Sequence, residues 1–122
     1  MKLKIRAWCK NRKIIIDWET LLHASPHGEY LHRVLTDDQY EYMLWTGLND
    51  RRGKEIYEGD VVERVVEFSV AVGELLDLKH TKEVGVIKWD FNRWVVKDWG
   101  FVPGHWEVIG NIWENPELLG TN

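Results

Sequence analysis

At 122 residues the chain has the length of one domain. Its composition, 44% hydrophobic and 30% charged, is that of a folded protein and excludes disorder. One cysteine excludes a disulfide framework and a cysteine-built zinc site, no apolar run approaches the roughly 18 residues of a membrane span, and a net charge of -4 argues against a general nucleic-acid binder.

In chain order, the pattern favours strands. Residues 2–8 and 12–18 flank Cys9, Lys10 and Asn11 and read as a hairpin. Lys2, Lys4 and Arg6 alternate with Leu3, Ile5 and Ala7, which puts cations on one face and apolar residues on the other. The cationic face reads either as a phosphate-contacting edge or as a solvated edge strand whose lysines discourage aggregation. Cys9 falls with Leu3 and Ile5 on the apolar face, as a buried thiol. Residues 18–24 fit a short helix that Ser25-Pro26-His27-Gly28 ends. Residues 29–35 and 40–46 lie on either side of Thr36-Asp37-Asp38-Gln39 and read as a second hairpin. A helix over 30–44 competes, because Tyr30, Leu31, Val34 and Leu35 also fit helical spacing.

Residues 46–60 are dense in turn formers, and residues 61–72 form a long β-branched strand. Residues 73–80 read as a connection, with one helical turn as the alternative. Residues 84–90 and 94–99 pair around Phe91-Asn92-Arg93, and Trp106 to Trp113 is the last strand, with Gly110 allowing a bulge. Asn115-Pro116-Glu117 then starts a short C-terminal helix. Together these predict a mainly β, β-rich α+β chain. An SH3-like small barrel over 46–122 packs on an N-terminal β-hairpin subdomain over 1–45, the two forming one compact unit.

Charge and tryptophan are both unevenly placed. Residues 1–33 hold seven Lys/Arg against three acids, whereas residues 34–122 hold nine against seventeen. Eight tryptophans is a heavy load, suited to a core with wet edges and to a recognition surface alike. Strand parity sends Trp94 and Trp99 to opposite sides, and Trp106 and Trp113 likewise unless a bulge intervenes. At least one ring of each pair is therefore expected near the surface. Trp94, Trp99 and Trp106, with Arg93 between the strands, are the candidate binding residues, and Lys2, Lys4 and Arg6 form a second candidate group. The competing reading has the rings sealing an apolar seam between the two halves.

The block Thr46-Gly47-Leu48-Asn49-Asp50 followed by Gly53-Lys54-Glu55-Ile56-Tyr57-Glu58-Gly59-Asp60-Val61-Val62 resembles the signature of the YopX family of phage and prophage proteins. Ile5-Arg6-Ala7-Trp8 resembles that family's N-terminal strand, and residues 107–119 resemble its C-terminus. Cys9 stands where an acidic residue commonly follows the tryptophan, and Trp113 replaces a more usual tyrosine. The resemblance implies a mostly β protein with an SH3-like C-terminal part, encoded by a temperate phage or prophage, and carries no activity with it. Read physically, the central block is a turn module. Gly47, Gly53 and Gly59 sit where the backbone needs positive φ, Tyr57 and Ile56 pack beneath, and Asp50 and Asp60 accept hydrogen bonds from turn amides. A ligand-binding loop is the alternative.

Little else carries chemistry. Pro26 and Gly28 break the helix that would align His23, His27 and His32 on a metal. Asp37-Asp38 fit turn capping, and the acids around Asp50 and Asp60 lack calcium-loop spacing. No phosphate loop, dinucleotide fingerprint or nucleophile elbow occurs. The expectation is therefore a non-enzymatic cytoplasmic binding protein with no metal, no cofactor and no membrane partner. A protein partner in the host cell ranks first, nucleic acid second and a small ligand such as a nucleotide third. The composition leaves the oligomeric state open.

Overall fold

The computed structural model describes residues 3–90, 93–96, 99–101 and 103–120, and Trp99 through its backbone alone. Lys2 and the side chain of Trp99, both expected at binding surfaces, lie outside what it describes. The fold is mainly β. Strands β1 (Ile5–Cys9) and β2 (Ile14–Ile16) form the expected first hairpin. Helix α1 (Trp18–His23) starts on Asp17, whose carboxylate accepts from the Thr20 N–H at 2.8 Å.

The second hairpin is not formed. Its first arm is helix α2 (Glu29–Thr36), and only its second arm is a strand, β3 (Tyr40–Asn49). Tertiary packing decides between the two spacings. As a helix, this segment buries Val34, Tyr30 and Leu31 on the face of β1 that carries Ile5, Ala7 and Cys9, beside Ile16 and Leu21. The competing helix over 30–44 fails as well, because Asp37 turns extended and caps α2.

β3 pairs with β1 over Tyr40–Leu44 and with β4 (Glu55–Tyr57) through Trp45 and Asn49, which gives a sheet ordered β2-β1-β3-β4. β1 is therefore an internal strand, not the edge expected for it. The division expected at residues 45/46 falls inside β3, which runs unbroken across it.

A second, five-stranded sheet holds β5 (Asp60–Val72), β6 (Leu75–Asp90), β7 (Arg93–Val96), β8 (Trp99–Gly100) and β9 (Glu107–Asn111), in the order β8-β7-β6-β5-β9. β9 returns beside β5 through a 3₁₀ turn at Pro103–His105. Val61 pairs with Gly110 and Val62 with Val108, so Ile109 is the extra residue of the bulge expected near Gly110. The C-terminal helix is one 3₁₀ turn, Pro116–Leu119. Asn115 does not cap it, but accepts the Asn111 N–H instead. The sheet's core is Ile56, Val62, Ile87, Val96 and Trp106.

Residues 73–80 are not a connection. Gly73 and Glu74 form a two-residue turn, and β6 begins at Leu75, in register with β5 from Val72↔Leu75 down to Val61↔Val86. β9 accompanies β5 no further than Glu63, and β7 accompanies β6 only from Ile87. Beyond those points β5 and β6 continue as a two-stranded arm. No helix among the described residues is long and apolar enough to cross a membrane.

Candidate functional site

The two sheets meet at a seam that Lys4, Arg6 and Trp8 enter from β1 and its approach. With Ile5, Ala7 and Cys9 committed to the helical side, strand alternation aims these three at the second half of the chain. Trp8 stacks on Trp113, with centroids 6.2 Å apart and planes 16° apart, beside Met43 and Tyr57. The Arg6 guanidinium pairs with Asp60 and lies 4.6 Å over the Tyr57 ring. Lys4 pairs with Glu55 and sits 4.9 Å over the Trp45 ring. The two cations expected on a phosphate-contacting face are thus held by carboxylates of the same chain.

The turn module holds this seam together. Gly47, Gly53 and Gly59 all take positive φ, as their spacing predicts. Asp50 accepts from the Arg52, Lys54 and Val108 N–H groups at 2.8, 2.9 and 2.9 Å. Burial works to raise its pKa, but those backbone donors outweigh burial and hold it below the ordinary 3.8. Asp60 is 1% exposed and accepts from the Tyr57 N–H at 2.8 Å. There burial prevails and pushes the carboxyl upward, against the pull of Arg6. Glu107 binds Arg52 and Arg51 at 2.8 and 3.0 Å, and the Arg52 contact holds its carboxyl low. Among the described residues no group of three or more His, Cys, Asp or Glu is placed to hold a metal ion.

Beside the seam opens an apolar pocket of about 310 Å³. Leu3 and Lys4 line it ahead of β1, Leu44 and Trp45 from β3, Glu58 from the β4–β5 turn, and Trp89 and Trp94 from β6 and β7. Trp89 and Trp94 are cross-strand partners and meet edge to face, with centroids 4.9 Å apart. They continue outward the face whose inner pair, Ile87 and Val96, is buried. Among the described residues the Trp45 indole N–H is buried without an acceptor and Glu58 makes no ion pair. The pocket therefore offers aromatic faces beside the Glu58 carboxylate.

Of the sequence candidates, Trp94 and Lys4 come together here. Arg93 is exposed and alternates to the opposite face of β7 from Trp94, beside Gly100. Trp106 is 4% exposed and belongs to the core, against Phe101 and under the Arg64 guanidinium. It is a packing residue, not a binding one. The bulge at Ile109 is present, but Trp106 and Trp113 still enter different clusters, Trp113 half-buried at the seam and Trp106 in the core, so the exposed ring expected of this pair is not found. The sequence pattern does not mark Trp45, Trp89, Leu3, Leu44 and Glu58 as binding residues. Trp89 alone carried a readable signal, its register opposite Trp94.

Fold and site together define a two-sheet β protein whose seam is packed with tryptophan and flanked by an aromatic pocket. The YopX protein family model matches residues 4–120, and the chain belongs to that family. The crystal structure of protein EF1440 from Enterococcus faecalis is similar in fold, with a TM-score of 0.65 and 23% identity over 98% of this chain and 99% of that one. A search of curated proteins finds no match.

Proposed function

We propose that the chain is a non-enzymatic binding protein encoded by a phage or prophage. In this reading it works in the cytoplasm of its bacterial host and seats an apolar side chain of a host or phage protein in the Trp45–Trp89–Trp94 pocket. The pocket carries the reading: an open, tryptophan-lined cavity of about 310 Å³ is the form of an anchor site for a partner's side chain. The phage origin rests on the family resemblance. The SH3-like reading of the C-terminal sheet is supported by its order, a four-strand meander with β9 returning beside β5 after a 3₁₀ turn. The non-enzymatic reading is supported by Asp50 and Asp60, whose carboxylates are occupied by backbone N–H groups and Arg6.

Affinity capture from the bacterial host with wild-type and Trp94→Ala baits tests this. A protein retained by the wild type, lost with the variant and insensitive to nuclease treatment is expected. Identical captured sets from both baits overturn it. The Trp89–Trp94 pair favours a second reading, in which a small aromatic ligand packs against these rings in the same pocket. A rise in melting temperature with a nucleotide or aromatic-metabolite panel, abolished by Trp94→Ala, is its signature. Nucleic-acid binding draws no support from Lys4 and Arg6, which are already paired.

A further inference from the structure

The β5–β6 arm leaves the body as a two-stranded ribbon about 30 Å long at roughly 3.3 Å per residue, with no third strand paired to it among the described residues and the Gly104–His105 turn beside its base at Val65 and Val66. Such a ribbon is marginal in water by itself, since about three strands with a buried face are needed for stability. Its two faces differ. One carries Val66, Phe68, Val70 and Val72 along β5, capped by Leu75, as an apolar stripe unbroken by charge on that strand. The other is interrupted by Glu67, His80 and Lys82. On the striped face Phe68, Val70, Val72 and Leu75 are 46, 39, 56 and 74% exposed. Only two charges flank these four, Asp77 opposite Val70 and Lys79 opposite Phe68, and they pair with each other at 3.0 Å.

We propose that this face docks on the same face of a second copy of the chain, the two arms antiparallel about a two-fold axis. The arrangement is self-complementary layer by layer. With the axis midway between the Phe68 and Val70 levels, Phe68 covers the copy's Val70, Val72 covers its Val66, and Lys79 lies over its Asp77, all reciprocally. Contact along two arms of this length covers on the order of 1,000 Å², the size at which specific interfaces begin. Edge-to-edge pairing would leave the stripe in water, which is why packing of the faces is the arrangement that removes it.

Sedimentation of the full chain over a concentration series tests the proposal, with circular dichroism to confirm folding. A monomer–dimer equilibrium is expected, lost in Phe68→Lys and Val70→Lys. Asp77→Lys and Lys79→Asp each place like charges over one another in the homodimer and weaken it about tenfold. Mixed one to one, those two variants present only opposite charges and re-associate as a heterodimer. A wild type that stays monomeric, a dimer indifferent to Phe68→Lys and Val70→Lys, or charge variants that fail to complement one another on mixing overturns it.

Discussion

Strands that carry aromatic and charged residues build both the seam and the arm, yet these side chains end in opposite states. In the seam, Trp8 lies against Trp113, and Arg6 is enclosed by Asp60 and Tyr57. In the arm, Phe68, Val72, Leu75 and Leu78 stand in solvent. Strand-forming capacity is the same in the two regions; the number of layers is not. The seam has a sheet on either side, whereas the arm is a single ribbon with no sheet stacked on it among the described residues. Side chains in the seam should therefore govern stability, and those in the arm association.

Asp60→Ala puts the greatest strain on that contrast. It leaves the Arg6 guanidinium enclosed without a counter-charge and the Tyr57 N–H without its acceptor. Removing one member of a buried pair costs about 3–5 kcal/mol. Urea unfolding should show that loss, and replacing both partners by apolar residues, Arg6→Met with Asp60→Leu, should recover a substantial part of it. Equal losses in the single and double variants would mean that Asp60 matters through its turn alone.

Glycine positions test the packing beneath the seam. A Cβ on Gly110 would stand 2.8 Å from Leu118 Cδ1 and overlap the Asn115 side chain, which itself holds the Asn111 N–H. Gly110→Ala should cost about 1–3 kcal/mol by overpacking. Gly59→Ala adds a methyl with room around it, but at φ 86°, so its cost of about 1–2 kcal/mol is conformational. Thermal unfolding separates the two mechanisms, because Gly59→Asn tolerates the left-handed region better than Gly59→Ala, while Gly110→Asn offers no such relief.

Asp50 makes the comparison depend on pH. Its folded pKa is held below the ordinary 3.8, so its carboxylate contributes stability above that value and loses it as pH falls through the lowered one. Asp60 runs the other way: its folded pKa is raised, and the contribution linked to it fades as pH rises through the raised value. Asp50→Asn should cost about 1–3 kcal/mol at neutral pH, since an amide cannot accept all three N–H bonds. The gap between variant and wild type should then narrow as the solution is taken below pH 3.8. A gap independent of pH would remove Asp50 ionisation from the account.

What could be read from residues alone follows the same division. The positive-φ glycines, the Asp50 turn and the bulge at Gly110 are local chemistry, and the spacing of a few residues specified them. Helix α2 was not decidable locally, because Tyr30, Leu31, Val34 and Leu35 satisfy both periodicities and packing on β1 selects one. The pocket joins Leu3 and Lys4 to Trp89 and Trp94 across most of the chain, a juxtaposition that no local pattern announces. The arm was missed for another reason. Leu75, Leu76 and Leu78 read as a connection because strands are expected to hide such residues, and these do not.

The arm should accordingly tolerate what the seam does not. Phe68→Ser removes the largest apolar side chain of the arm, yet that ring is 46% exposed and rests on no core cluster. Unfolded at low protein concentration, where any dimer has dissociated, the variant should lie within about 0.5 kcal/mol of the wild type. At high concentration the wild type alone should gain apparent stability, because mass action rewards whatever binds the folded state only. A loss at low concentration comparable to that of Gly110→Ala would show that Phe68 packs within its own chain and that the arm is not a separate layer awaiting a second one.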